Sequence, residues 1–229
     1  MKVTALIPVK GFRNAKQRLS AFLGSAEREA LAEAMFRDVL RQTLRACGLV
    51  ETVVVTGDDK VAAIAGSSGA RVILENAETG ETAAVDFART NLRDTGCEAV
   101  LIIPGDLPLI RSSDIESVLA QIPEGQIAPF ALLVPSHDRL GTNALLLAPP
   151  DIIKLRFGYD SFRYHISQVS AQALPVRYVE SEHIALDIDE PKDLEKFLTY
   201  SSDDSEALKT LQRFIADRPC EFSRRVVEG

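Results

Sequence analysis

The chain has 229 residues, 46% of them hydrophobic and 26% charged, and its 33 carboxylates against 26 lysines and arginines give a net charge of −7. That length allows one α/β domain with a sizeable core, and the composition excludes wholesale disorder. The acidic balance argues against a nucleic-acid-binding face, no apolar run reaches the roughly 18 residues of a membrane span, and the start lacks the pattern of a signal peptide, so a cytoplasmic protein with no nucleic-acid or membrane partner is expected.

In chain order, Val3 to Val9 reads as a buried strand. From Ser25, the apolar residues Leu31, Met35, Val39, Leu40, Leu44 and Cys47 recur at helical spacing, with Glu27 and Glu29 suited to the positive end of the helix dipole. Thr52 to Thr56 is a β-branched strand, Asp58 to Ala65 a short helix, Ala70 to Leu74 a third strand, Glu81 to Leu92 a helix and Ala99 to Ile103 a fourth strand. Strands and helices alternating in this way predict βαβ units, a doubly wound and mostly parallel sheet in an α/β fold. After Asp106 the rhythm changes: a helix near Ser113 to Gln121, then strands near Ala131 to Val134 and Ala144 to Leu147, predict antiparallel strands added to the sheet. A loop-rich stretch to Ser161 follows, then an extended piece from Leu186 to Asp189 and a helix to Phe197 with Pro191 in its first turn. One domain is expected over residues 1–200, with 201–229 a helical extension or tail that could pack on a second copy as a homodimer. Cys47, Cys97 and Cys220 are far apart with no C-x-x-C pair and read as free thiols.

In open α/β sheets ligands lie beyond the carboxyl ends of the strands, so the polar residues that end strands are the ones to collect. The loop after the first strand, "PVKGFRNAKQRLS", carries Lys10, Arg13, Lys16 and Arg18 in a chain that is otherwise acidic. It lacks the G-x-x-x-x-G-K-[ST] pattern of a P-loop. In "IIPGDLP", Asp106 lies just past a buried strand, where an aspartate also makes ordinary turns. In "LDIDEP", Asp187 and Asp189 would point to one side of an extended chain while Ile188 points into the core, although Asp is also common before helices. If these aspartates meet, their mutual repulsion calls for a cation, and Mg²⁺ beside the phosphates of a nucleotide suits the chemistry; the cationic loop would then face a triphosphate. "LGTNALLL" and "FGYDSFRYH" offer glycine amides and small hydroxyls suited to a second anion or to plain turns.

Together, "IPVKGFRNAKQRLS", "EREALAEAMFRDVL", "PGDLPLI", "GTNALLLAPP", "RFGYDSFRYH" and "LDIDEPKDL" resemble the 2-phospho-L-lactate guanylyltransferase family of coenzyme F-420 biosynthesis over residues 3–197. The resemblance implies a nucleotide-diphospho-sugar transferase fold and transfer of GMP from GTP to 2-phospho-L-lactate, phosphoenolpyruvate or 3-phosphoglycerate, releasing pyrophosphate. It puts metal ligands at Asp106, Asp187 and Asp189, catalytic residues at Lys10, Lys16, Arg18 and Asp106, and nucleotide-binding residues at Pro8, Lys10, Lys16, Gly80, Thr82 and Asp106. Acceptor-binding residues would be Thr142, Asn143, Gly158 and Ser161. Where the family usually shows "GLNxAL", this chain has "TGETAAV", which bears on base selectivity. The rival expectations are a nucleotidyltransferase with another nucleotide or a sugar-phosphate acceptor, and a nucleotide-binding protein without turnover.

Overall fold

A computed structural model describes residues 1–75, 80–126, 129–201 and 204–217. Cys220, Thr79 of the "TGETAAV" stretch, Ser202 and Asp203 of the "SSDDSE" run and the last part of the predicted tail lie outside the described residues.

The apolar run at the start forms β1 (Val3–Pro8), buried at every position and central in the sheet. It pairs in parallel with β2 (Leu49–Thr56) and β4 (Ala99–Ile102), and β2 in turn pairs in parallel with β3 (Arg71–Leu74). β5 (Phe130–Pro135) and β6 (Thr142–Ala148) form an antiparallel hairpin, and β6 runs antiparallel to β4. The six-stranded order is β3-β2-β1-β4-β6-β5, the doubly wound, mostly parallel sheet that the strand and helix alternation predicts. A strand buried on both faces must carry apolar side chains on both. β1 does so, with Ile7 in the core on one side and Leu6 in the core on the other.

Five helices cover the Ile7 side: α1 (Ser25–Arg45), α2 (Asp59–Ser67), α4 (Ser112–Leu119), α6 (Pro191–Leu198) and α7 (Glu206–Asp217), contributing Met35, Val61, Ile115, Phe197 and Leu208 among others. The Leu6 side is covered by α3 (Glu81–Asp94) and α5 (Ser161–Ala171), through residues such as Val85 and Phe162. No described helix is long and apolar enough to cross a membrane.

Two readings of the sequence need correction. Leu44 is 38% exposed and Cys47 lies beyond the end of α1, exposed, so the buried stripe of that helix stops at Leu40 and Thr43. The stretch opening at Ser161 is not loop but the first turn of α5, whose buried positions include Ser161 and His165, polar residues that do not register in an apolar pattern. Leu186 to Asp189, expected as an extended piece, joins no strand of the sheet, and its burial alternates as expected, with Leu186 and Ile188 fully buried and the two aspartates half-exposed.

Candidate active site

The carboxyl ends of β1, β2 and β4 open into a crevice of about 990 Å³. It is lined by the loop 8–16 after β1, by Asp58 and Lys60 after β2, by Pro104, Gly105 and Asp106 after β4, by Glu29, Ala32, Met35 and Phe36 of α1, by the first turn of α3, and by Glu75 and Asp189. Gly105 lets the ends of β4 and β1 come together, because a Cβ there would stand 2.9 Å from Cγ2 of Val9 and 3.8 Å from the carbonyl oxygen of Pro8. Asp106 is thereby held beside the cationic loop. Asp189 is fixed by the helix that follows it: Oδ2 of Asp193 in α6 accepts the backbone N–H groups of Asp189 at 3.0 Å and Glu190 at 2.7 Å.

Between the two carboxylates stands Lys16. Its Nζ donates to Oδ2 of Asp106 at 2.7 Å and to Oδ1 of Asp189 at 2.8 Å, with 9% of the side chain exposed. Its backbone is left-handed, φ 51°, as is that of Asn14, φ 62°, a conformation costly for a residue with a Cβ and found where surrounding contacts enforce it. Burial alone would lower the Lys16 pKa, but Asp106 and then Asp189 more than offset it and hold the ammonium above the ordinary lysine range. Burial likewise opposes ionisation of Asp189, but Lys16 outweighs it and keeps that carboxyl below its ordinary value.

Asp187 lies beside this pair. Burial, then the charge of Asp106, lift its pKa to about 6, and its Oδ1 accepts Nδ2 of Asn143 at 3.1 Å. Glu81, the first residue of α3, is raised to about 7 by burial and then by Asp106, with Lys10 and Lys16 pulling the other way. Among the described residues no three His, Cys, Asp or Glu side chains are grouped to hold an ion. Asp106 and Asp189, two of the three expected Mg²⁺ ligands, are bridged by Lys16, which supplies the positive charge that lets these like charges stand together.

Of the other residues singled out in the sequence, Pro8, Lys10, Arg13 and Lys16 line the crevice with Asp106 and Asp189. Arg18 does not; its side chain is 70% exposed and faces Oε1 of Glu190 at 3.5 Å. Gly80 caps α3 with φ 112°, a conformation that favours glycine, and the Thr82 hydroxyl accepts the Phe157 N–H at 3.0 Å. Thr142, Asn143 and Ser161 are buried in a hydrogen-bonded frame outside that lining. Ser161 Oγ accepts the Thr142 N–H at 3.0 Å, and Thr142 Oγ1 lies 3.0 Å from Nδ1 of His165. Nε2 of His165 accepts the Arg156 N–H at 3.2 Å, so in the neutral ring Nδ1 carries the proton and donates to Thr142. Burial, reinforced by Arg156 and Arg89, lowers the His165 pKa to about 4 and keeps it neutral. Gly158, φ 97°, sits exposed in the loop between Phe157 and α5. His183 is half-buried with Nδ1 3.1 Å from both carboxylate oxygens of Asp114.

Asn143 joins the two halves. Its Nδ2 donates to the Ile184 carbonyl at 2.9 Å as well as to Asp187, so the frame around Thr142 is tied to the carboxylates of the crevice. Sequence reasoning missed Asp58, Lys60 and Glu75, gave Glu29 only a helix-dipole role and met Glu81 only as part of the "TGETAAV" departure; all five line the crevice. Asp58 was the accessible one among them: it follows β2 directly and caps α2 by accepting the Val61 N–H at 2.9 Å. The others become neighbours only through the tertiary fold.

Residues 3–226 match the family model described as "Guanylyl transferase CofC like". The phosphoenolpyruvate guanylyltransferase of Rubrobacter xylanophilus is 38% identical over 197 residues, 85% of this chain and 92% of that one. The 3-phospho-D-glycerate guanylyltransferase of Colwellia psychrerythraea is 32% identical over 92% of this chain and 98% of its own. In fold, the chain is similar to the crystal structure of a "putative nucleotide-diphospho-sugar transferase" from Desulfovibrio desulfuricans, with a TM-score of 0.78, 17% identity and 99% of both chains covered. The sheet order, the crevice at its carboxyl edge and the match over nearly the whole length agree: the chain belongs to the CofC-like guanylyl transferase family, an enzyme family of nucleotidyltransferases.

Proposed function

We propose that this chain moves GMP from GTP to the phosphate of a small three-carbon phospho-acid in coenzyme F-420 biosynthesis. An oxygen of the acceptor phosphate attacks the α-phosphorus of GTP, the bond from that phosphorus to the α–β bridging oxygen breaks, and pyrophosphate leaves with the electron pair. The acceptor phosphate is already ionised near neutral pH, so no general base is required. The observation that carries the reading is the convergence of Lys10, Arg13 and Lys16 with Asp106 and Asp189 at the strand ends.

Charge in the crevice supports it. The lining holds four lysines and arginines against six aspartates and glutamates, so a triphosphate would enter a site that is already net negative. A divalent cation resolves that conflict, and the donor set suits one: only oxygen ligands, with Glu81 and Asp187 beside them raised in pKa by burial and then by the charge of Asp106. Asp106, Asp187 and Asp189 are the residues that would hold Mg²⁺, which when bound would neutralise phosphate charge. Lys10 and Arg13 would hold the β- and γ-phosphates, with Pro8, Gly80 and Thr82 beside the nucleotide and Arg18 at the mouth of the loop.

The acceptor would sit on the far side of the carboxylates. There the buried Thr142, Asn143 and Ser161 hold the shape of the pocket, and the backbone around Gly158 reaches the anion. The acceptors named for the two relatives differ, phosphoenolpyruvate for one and 3-phospho-D-glycerate for the other. Phosphoenolpyruvate, 2-phospho-L-lactate and 3-phosphoglycerate are therefore tested side by side with GTP and Mg²⁺, following pyrophosphate. Release with one of them is expected; release with a sugar phosphate and with none of the three would overturn the proposal. The enzyme would work in the cytoplasm, with residues 1–200 as the catalytic domain, the segment from 201 as an added helical brace, and a homodimer as its assembly.

A further inference from the structure

We propose that Lys16 competes with the divalent cation for Asp106 and Asp189, so that the site takes up metal together with the triphosphate and rejects the free ion. This rests on the guanylyl-transfer reading above and adds to it an order of assembly.

One ammonium nitrogen satisfies both carboxylates, at 2.7 Å and 2.8 Å, and the side chain that delivers it is almost enclosed. The loop is bent for this purpose: Asn14 and Lys16 both take left-handed backbone conformations, and Lys16 opens a short 3-10 turn, Gln17–Leu19, from which its side chain points inward. An ammonium and a divalent ion cannot share the same two oxygens, since each repels the other and both need the same lone pairs. A free ion would therefore have to break both short ammonium–carboxylate contacts, at 2.7 Å and 2.8 Å, with nothing of its own to offer the displaced Lys16. A triphosphate changes this, because it gives the displaced ammonium a new partner next to Lys10 and Arg13, which share its loop and line the same crevice. Metal and nucleotide then favour one another's binding, and by linkage the coupling is reciprocal.

The test is a Mn²⁺ titration of the full chain followed by electron paramagnetic resonance, without nucleotide. Lys16→Gln should bind Mn²⁺ at least tenfold more tightly than wild type, whereas Lys16→Arg, which keeps a cation between the carboxylates, should stay weak. GTP should tighten Mn²⁺ binding by wild type far more than by Lys16→Gln. In parallel, Mn²⁺ alone should raise the melting temperature of Lys16→Gln and leave that of wild type unchanged. If Lys16→Gln does not fold, Lys16→Ala takes its place in the same titration. Free-ion affinity in the charge-removing variant equal to or below wild type would overturn the proposal. Pyrophosphate release by wild type is measured alongside: its absence with every phospho-acid would sink the reaction, and its presence with an unchanged Mn²⁺ affinity would sink the competition alone.

Discussion

Asp106 and His165 show how one side chain can be tested for chemistry and another for support. Asp106→Asn keeps an oxygen that accepts from Lys16 and leaves Asp189 to balance the ammonium, so the fold should lose only about 1 kcal/mol. Metal-dependent turnover should fall at least about a hundredfold, because the charge that answers the cation is gone. Pyrophosphate release and a melting curve check both halves, and turnover within a few-fold of wild type would remove Asp106 from the reaction. His165 is not among the residues that line the crevice, yet it links Thr142 to the Arg156 backbone. Its pKa is depressed from 6.5 to about 4, so the stability it contributes is complete above pH 6.5 and is lost as pH falls through 4. The full effect is about 3 kcal/mol. His165→Gln should therefore be destabilised most at neutral pH, and urea denaturation should show its deficit shrinking as pH falls toward 4. A deficit constant from pH 7 to 4.5 would mean the ring is not held neutral.

Helix α7 is seated by a buried carboxylate. Asp38 of α1 accepts the Ser205 hydroxyl and the Ala207 N–H at 2.9 Å through Oδ2, and the Glu206 N–H at 2.9 Å through Oδ1. Two of the three are backbone donors of a helix start, which Asp38 satisfies from another element while Ser205 caps locally by accepting the Leu208 N–H at 3.0 Å. Asp38→Ala would strand them, costing about 2–4 kcal/mol, and hydrogen exchange should rise along α7 before it rises in β1. Equal protection of α7 in the variant would show that apolar packing alone seats it. The same contrast explains what could be read from the chain. β1 was visible as a continuous apolar run, and α6 as a proline at its first position, since both signals are local. α5 was not, because its buried face mixes Phe162 and Val169 with Ser161 and His165, whose partners lie about twenty residues or more away in β6. Asp106, Asp187 and Asp189 were picked out by their place after apolar segments. That a lysine would join Asp106 to Asp189 depended on a left-handed loop turn that Lys16 itself does not favour.

Taken as one electrostatic body, the protein balances two opposite responses to acid. Glu81 and Asp187 are raised from 4.5 and 3.8 to about 7 and about 6, so their contribution is full below their ordinary values and is lost as pH rises through those raised ones. His165 acts in the other direction over about the same range. The crevice carboxyls outnumber the histidine, so between pH 7.5 and 5.5 stability should hold level or rise slightly, and acid unfolding should begin only below that. Glu81→Gln isolates the crevice: at pH 7.5 it should stabilise the protein by about 1–2 kcal/mol, a figure reduced for the partial exposure of the side chain, and at pH 5.5 the gain should fade. A divalent cation with GTP should act on wild type as the substitution does, stabilising more at pH 7.5 than its affinity at pH 5.5 would allow, because it relieves the same crowding of negative charge. Denaturant midpoints for both proteins at the two pH values, with and without Mg²⁺ and GTP, decide it. If Glu81→Gln is neutral or destabilising at pH 7.5, the crevice carries no surplus charge, and the argument that a triphosphate must arrive with its own cation falls with it.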